Sequence, residues 1–447
     1  MKTTKTCKVV KYLKNNFLFF FLFINPFFTY SMIFSQVCEN NLLSNDYSEK
    51  VFHHIKNLVD IGLRPAGSEN EMKAAEYIKN QFTEIGITTE IETFDYESFE
   101  FESLDLEING EHYKPNGLGF IPYENKMEYH GKAFLVDSKE SFDIYALDSI
   151  AGNTIISNDF TSHFNLMNFR PDHIIYLDST DFQKLKTGSS LTFKLKIMGE
   201  YRYLKSPNVI AQIGKSSIEK KEIIIGAHLD SYRESPGASD NGSGVGSIIE
   251  LARYLKRMEN DLNCVIKFIS FGAEELGILG SRKYVEMHKE SLKNCVLYYN
   301  IDDVGGNSLG AIETLGGVIK APEKLQDDLS VSLAQNPWEG VNSYWRILPT
   351  PYIMGFVGTI NHPQWLVNII TNSVDESGYE IHFAENMGSD QMAFAHVGLV
   401  SSSIGITCDK PHTPYDNLDL INKASLQKAG DISMRIILKT NNMFKIK

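Results

Sequence analysis

The chain has 447 residues, of which 43% are hydrophobic and 22% charged, with only 14 prolines. That mixture is ordinary for a globular protein and supplies material for a large core. A formal net charge of -13, with no dense Lys/Arg cluster in the body of the chain, argues against nucleic acid or an anionic membrane surface as a partner.

The chain opens MKTTKTCKVVKYLKNN and continues FLFFFLFINPFFTYSMIFSQ. Lysines, a short apolar run and then small or polar residues form the pattern of a secretory signal over residues 1–36. Asn25 and Pro26 interrupt the apolar run, which weighs against an uncleaved membrane anchor. SQVC lacks the aliphatic and small residues expected before a lipidated cysteine. The mature chain is expected to start near Val37 and to be exported, to a periplasm or beyond the cell. Of the five cysteines, Cys7 and Cys38 lie in or beside this leader, leaving Cys264, Cys295 and Cys408. Three widely spaced cysteines are no disulfide framework, and Cys264 and Cys295 read as small hydrophobes at the start of apolar strands.

From Asp46 to Gly86 the pattern is helical. Val51, Ile55, Leu58 and Val59 share one face, and Met72, Ala75, Ile78 and Phe82 share another after a Ser68/Glu71 capping-box pattern. His53 and His54 read as partners or surface residues of the first helix, not as ligands. From about Ile87 to Met198 the chain turns aromatic and alternating, in runs such as FEFESLDLEING, GKAFLVDS, HIIYLDS and SLTFKLKIMG. This predicts a β-rich insertion or small second domain.

Beyond Pro207 the pattern becomes βα. EIIIGAH is a continuous apolar strand, and Val245, Ile248, Ile249, Ala252 and Leu255 mark the buried face of the helix after it. CVIKFISF, a helix from about Gly277 to His288, CVLYYNI and later GLVSSSIGI follow. Apolar runs alternating with helices predict an α/β fold whose mostly parallel, mixed sheet is covered by helices on both faces.

In such sheets the ligand site lies beyond the carboxyl ends of the strands. The first strand ends in His228-Leu229-Asp230, and Asp240 follows in the loop ESPGASDNGSGVG. That loop is glycine-rich like a phosphate cradle, but has Ser243 after its glycine where lysine is usual, and its central carboxylate would repel phosphate. The next strand end carries Glu274 and Glu275, the third Asp302 and Asp303, and the segment after the last strand His412. Several carboxylates and two histidines at one edge repel one another unless cations neutralise them. Mixed His and carboxylate donors suit Zn²⁺. Asp240 then has one oxygen for each of two metals, and Asp230 orients the His228 imidazole. Of the consecutive glutamates, which diverge, one can ligate while the other stays free as a general base. Asp303 is less convincing than Asp302 and reads equally as a surface or turn residue.

GAHLDS, GASDNGSGV, AEELGILGS, NIDDVG and PHTPYDNLD resemble the M28 family of di-zinc metallopeptidases, the aminopeptidase Y-like group, and LRPAGSENE and GSDQMAFAHVGL are similar to further family segments. The resemblance covers Leu63 to Gln81 loosely and Asn208 to about Asn422 well. It implies an exopeptidase with peptide substrates and two Zn²⁺ ions. One would be held by His228, Asp240 and Asp302, the other by Asp240, Glu275 and His412. Glu274 would be the general base that activates the water between the metals, and Asp230 the partner behind His228. The implied division is a helical start of the peptidase domain over 46–100, an insertion over 101–205 placed like a protease-associated domain, and the di-zinc peptidase domain over 206–447.

Pro411 stands where several family members carry a tyrosine that stabilises the oxyanion, leaving that task to Tyr415, another tyrosine or the metal. GSDQ replaces the common SDH, so Asp390 has no assigned role, and His382 and His396 read as core or surface. The side-chain pocket is expected around NSYWRILPTPYIMGF. Asp375, Glu376 and Glu380 are candidates for the substrate amine, with a solvated loop the competing reading. The activity expected is that of an aminopeptidase; the alternatives are a dipeptidase or carboxypeptidase, a single-zinc glutaminyl cyclase, or a binding protein on a decayed peptidase fold. Decay would normally remove a ligand or the base, and none is missing.

Overall fold

The computed structural model describes residues 42–115, 117–120, 128–136, 154–158, 173–185, 191–217, 220–233, 235–315, 362–385 and 388–445. The leader expected over 1–36, its two cysteines and the pocket segment NSYWRILPTPYIMGF lie outside them. Among the described residues no helix is long and apolar enough to cross a membrane.

Two helices come first, α1 (Tyr47–Ile61) and α2 (Glu69–Glu84). Ser68 starts α2 by accepting a hydrogen bond from Glu71 N at 3.0 Å. The Glu71 side chain does not close the expected capping box on Ser68; its Oε2 reaches back one residue further, to Gly67 N at 2.7 Å. Strands β1 (Thr88–Ile108), β2 (Glu111–Tyr113), β3 (Gly117–Phe120), β4 (Glu128–Val136), β5 (Thr154–Ser157) and β6 (His173–Tyr176), the short α3 (Ser179–Leu185) and β7 (Leu191–Ile213) follow. The βα region contains β8 (Glu222–His228), α4 (Gly242–Arg257), β9 (Val265–Phe271), α5 (Leu279–Met287), β10 (Cys295–Ile301), β11 (Ala311–Leu315), α6 (Gln364–Ser377), β12 (His382–Glu385), α7 (Gln391–His396), β13 (Ser401–Gly405) and α8 (Lys423–Met443).

The strands form one sheet in the order β12-β11-β13-β10-β8-β9-β7-β4-β5-β6-β3, with β1 also beside β7 and β2 beside β1. Its centre is parallel: β8 pairs in parallel with β9 and β10, and β10 with β13. β7 and β1 run antiparallel to their neighbours and to each other, from Thr88↔Gln212 to Ile108↔Phe193. This two-stranded ribbon leaves the central sheet and carries the β-rich region between its arms. The motif FEFESLDLEI, which reads as a short strand, is the second half of that 21-residue strand.

Alternation along β8 shows how both faces are covered. Ile223, Ile225 and Ala227 pack into a core with residues of α1, α2, α4, α6 and α8. Ile224 points the other way, among Tyr284 and Val285 of α5 and Met392, Ala393 and Phe394 of α7. Buried on both sides, β8 has no polar face to alternate, so it reads as an unbroken apolar run. A separate core forms in the β-rich region around Leu106, Ile108, Ile156, Ile175, Phe182, Phe193 and Leu195. Cys264 and Cys408 are buried, Cys295 is half-buried, and all three are free thiols.

Replacing Ser68 by alanine removes the acceptor that starts α2 and is expected to lower stability by about 1 kcal/mol. Urea unfolding of the two proteins side by side measures it; an unchanged midpoint would mean that the cap contributes nothing.

Candidate metal centre

Because β8, β9 and β10 are parallel neighbours, their carboxyl ends open on one edge, and the sequence loads that edge with metal-ligating groups. His228 is the last residue of β8, Glu274 and Glu275 stand in the turn after β9, and Asp302 directly follows β10. Asp240 precedes Asn241, which caps α4 by accepting from Gly244 N at 2.9 Å. The carboxylate therefore sits at the positive end of a 16-residue helix. The Asp240–Asn241 peptide is cis. His412 lies beyond β13 and takes a left-handed backbone, φ 59°.

These residues converge on the two oxygens of Asp240. His228 Nε2 lies 3.0 Å from Oδ1 and 3.2 Å from Asp302 Oδ1. His412 Nε2 lies 3.0 Å from Oδ2 and 3.3 Å from Glu275 Oε2. Two groups result, His228–Asp240–Asp302 and Asp240–Glu275–His412, with the ligand atoms of each all within 4.8 Å of one another. Glu275 Oε1 is buried and makes no hydrogen bond, and Asp302 Oδ1 is buried with His228 Nε2 beside it but likewise makes none. Buried carboxylate oxygens left bare carry a desolvation penalty that a cation removes. The donors present thus fit metal ions, and Glu274 belongs to neither group.

Without a cation the charges settle on protons instead. Burial opposes a charge on His412, but Glu275 and Asp240 outweigh it and hold its pKa up to about 10. His228 is likewise raised, burial being overcome by Asp302, Glu274, Asp230 and Asp240. Asp240, despite burial, is held far below the carboxylate range by the two histidines. Burial pushes Glu275 up to about 8 and Glu274 well above its ordinary value; for Glu274, Asp390, Asp302 and Glu275 add to the rise while His228 opposes it.

Three aspartates hold the ligand-bearing loops. Asp230 is fully buried, and its two oxygens accept from Glu274 N at 3.0 Å and Glu275 N at 3.1 Å. His228 Nδ1 faces the Asp230 carbonyl at 3.2 Å and its carboxylate at 3.5 Å. Asp230 therefore orients the imidazole and the glutamate pair together. Asp416 accepts from Ser239 N at 2.8 Å and Asp240 N at 3.0 Å, fixing the shared carboxylate through its own backbone. Asp303 is buried, not at the surface, and its carboxylate accepts from Ser239 Oγ and, at 3.2 Å, from Cys408 N. Asp302 is steadied by Ser389 Oγ, which Asn300 Nδ2 contacts at 2.9 Å.

Sequence reasoning missed Asp416, Ser389 and Arg64. The first stands inside PYDNLD and was marked only by its motif. Arg64 is a buried guanidinium donating to the carbonyls of Leu58, Leu229, Pro236 and Gly237, so it straps down the loop that leads to Asp240. The remaining candidates stay apart. His54 bridges Tyr77 and Glu250 between helices, and His53 is exposed. His382 is exposed, and burial with Arg282 lowers His396 to about 3. Asp375, Glu376 and Glu380 are exposed, with Glu376 paired to Lys439 at 2.6 Å. Asp390 is fully buried behind the site. Tyr415 is 62% exposed under Lys410, whereas Tyr232 stacks on His412 with ring centroids 5.0 Å apart.

Much of this edge lies in a stretch that is similar to known proteins. Residues 208–333 match the model of Peptidase family M28. That segment contains His228, Asp240, Glu274, Glu275 and Asp302, while His412 lies C-terminal to it. The chain is 29% identical over 271 residues to Aminopeptidase YwaD of Bacillus subtilis, covering 58% of this chain and 49% of that protein. It is 41% identical over 116 residues to the probable lipoprotein aminopeptidase LpqL of Mycobacterium tuberculosis, covering 26% and 23%. The chain thus spans about half the length of YwaD and less of LpqL. Among solved structures, the Bacillus subtilis zinc aminopeptidase BSAP superposes with a TM-score of 0.59 at 20% identity, over 88% of this chain and 95% of that one. The aminopeptidase from Aneurinibacillus sp. strain AM-1 gives 0.57 at 22%, over 88% and 93%. At such identities the shared property is the fold, a mixed α/β sheet with helices on both faces.

A metal needs both histidines neutral, yet His412 keeps its proton up to about 10 when no metal is bound. Zinc must displace protons at neutral pH. Its apparent affinity is therefore expected to climb from about pH 6 to about pH 9, by up to about tenfold per unit for each proton released. Titration calorimetry in two buffers of different ionisation enthalpy counts those protons. An affinity flat across this range, indifferent to the buffer, contradicts the histidine assignment.

Proposed function

We propose that the protein is an exported di-zinc exopeptidase that removes residues from the amino terminus of peptides. The observation that carries this reading is the division of the Asp240 carboxylate, one oxygen facing His228 and the other His412 at 3.0 Å each, with Glu274 in the field of His228, Asp302 and Glu275 but in neither group. His228, Asp240 and Asp302 would hold one zinc, and Asp240, Glu275 and His412 the other. Bound there, the ions supply Lewis acidity, which brings the pKa of a water down toward about 7 and polarises a carbonyl.

The chain's own residues do the rest. Glu274, which belongs to neither ligand group, takes a proton from the attacking water and returns it to the leaving amine. Its direction is set from behind, since Asp230 grips the peptide nitrogens of Glu274 and Glu275. His228 is kept facing Asp240 by the same aspartate. The acidic surroundings attract a free α-amino group, which favours substrates with an unblocked terminus. The M28 segment and the aminopeptidase names of its relatives support the reaction class. The leader pattern of residues 1–36 supports export.

Glu274→Gln removes the base and no ligand. It is expected to keep the zinc content of the parent while kcat on an aminoacyl-anilide falls about 10²- to 10⁴-fold. Retained hydrolysis would overturn the role of Glu274. N-acetylation of the same anilide is expected to abolish cleavage by the parent enzyme. Cleavage of carboxyl-terminal residues instead, or cyclisation of an amino-terminal glutamine, would replace the aminopeptidase reading by one of its alternatives.

A further inference from the structure

Four consecutive peptide N–H groups in the turn that carries the glutamate pair are each caught by a buried side chain. Gly272 N donates to Asn208 Oδ1 at 3.2 Å, and Ala273 N to Glu71 Oε1 at 3.2 Å. Glu274 N and Glu275 N donate to Asp230. The turn needs such restraint, because Ala273 takes a left-handed backbone, φ 52°, that a residue with a Cβ seldom adopts. Asn208, in the second half of β7, and Asp230, just past β8, come from neighbouring parts of the sheet. Glu71 comes from the first turn of α2, 202 residues away in the chain.

Glu71 is fully buried and takes three donors. Oε1 accepts from Ser206 Oγ at 2.6 Å as well as from Ala273 N, and Oε2 accepts from Gly67 N. The helix start is already capped by Ser68, so one oxygen of Glu71 is left to serve another element. Approach to the turn is close: a Cβ on Gly272 would lie 2.8 Å from Glu71 Oε1 and 2.2 Å from Ser206 Oγ. Burial raises the Glu71 acid to about 8, and Asp230 adds to the rise, so a carboxylate is an unfavourable occupant unless its acceptors are needed.

We propose that Glu71 is a positioning residue for Glu274: its Oε1 fixes the Ala273 peptide and thereby the direction in which the base projects. The inference rests on the exopeptidase reading and adds a residue to it from outside the M28 segment, in the motif LRPAGSENE. Leucine at this position keeps about the same volume but offers no acceptor, so the bonds to Gly67 N–H and Ala273 N–H are both lost.

The test compares Glu71→Leu with Ser68→Ala in the full, zinc-loaded protein. It measures steady-state kinetics on an aminoacyl-anilide, zinc per chain, and hydrogen exchange of the peptide spanning 272–278. Both variants are expected to melt earlier. Glu71→Leu alone is expected to lower kcat by about tenfold or more, with KM within about twofold, zinc unchanged and faster exchange over 272–278. Should Glu71→Leu fail to fold, Ser206→Ala removes one donor from the same oxygen and is expected to show this pattern at about two- to fivefold. A kcat no lower than that of Ser68→Ala, or unchanged exchange over 272–278, overturns the proposal. Parent protein with no anilide hydrolysis overturns the exopeptidase reading instead, and the exchange difference still tests the Glu71–Ala273 link.

Discussion

The sharing of one carboxylate between two histidines organises everything around it. Asp240 cannot serve both His228 and His412 unless its backbone is held still and its neighbours, also acidic, are prevented from repelling it. Asp416 meets the first need by binding Ser239 N and Asp240 N. The start of α4 helps with the second, and the histidines, protonated in the absence of metal, meet the remainder. A pair of divalent ions would replace those protons with more charge at shorter range. Proton and metal thus compete for one set of groups, which makes the site's occupancy a matter of pH as well as of metal supply.

The fold supplies this arrangement cheaply in chain length. Three parallel strands deliver His228, the glutamate pair and Asp302 to one edge, and apolar side chains on both faces fix the strands relative to one another. The loops beyond the strands lack that support, and buried polar groups provide it instead. Asp230 ties the end of β8 to the turn after β9, Asp303 ties the end of β10 to Ser239, and Arg64 gathers four carbonyls from α1 and the loop before Asp240. Each such group is costly to bury and loses its compensation if a partner is removed. The apolar sheet and the polar loop network therefore divide the work: one sets the edge, the other sets the atoms on it.

How much of this could be read from residues alone follows the same division. The strands β8, β9 and β10 were legible because burial on both faces leaves an unbroken apolar run, and the site residues because they stand at the ends of those runs. Asp240 was legible as a carboxylate inside a glycine-rich loop that phosphate would avoid. The supporting network was not, because Glu71–Ala273, Asp416–Ser239 and Arg64–Leu229 join residues 202, 177 and 165 positions apart with no local periodicity. Asp303 misled for this reason: a turn residue with positive φ looks exposed until its partners Ser239 and Cys408 are seen. The long ribbon of β1 and β7 also escaped notice, since its arms pair residues as far apart as Thr88 and Gln212, which no local alternation marks.

The measurement that bears most directly on the shared carboxylate is zinc per chain in the parent protein and in Asp240→Ala, after dialysis against trace zinc at neutral pH. Two zincs in the parent, and the loss of both from the variant while its fold persists by circular dichroism, are what a bridging Asp240 requires. Two zincs retained by Asp240→Ala would contradict it.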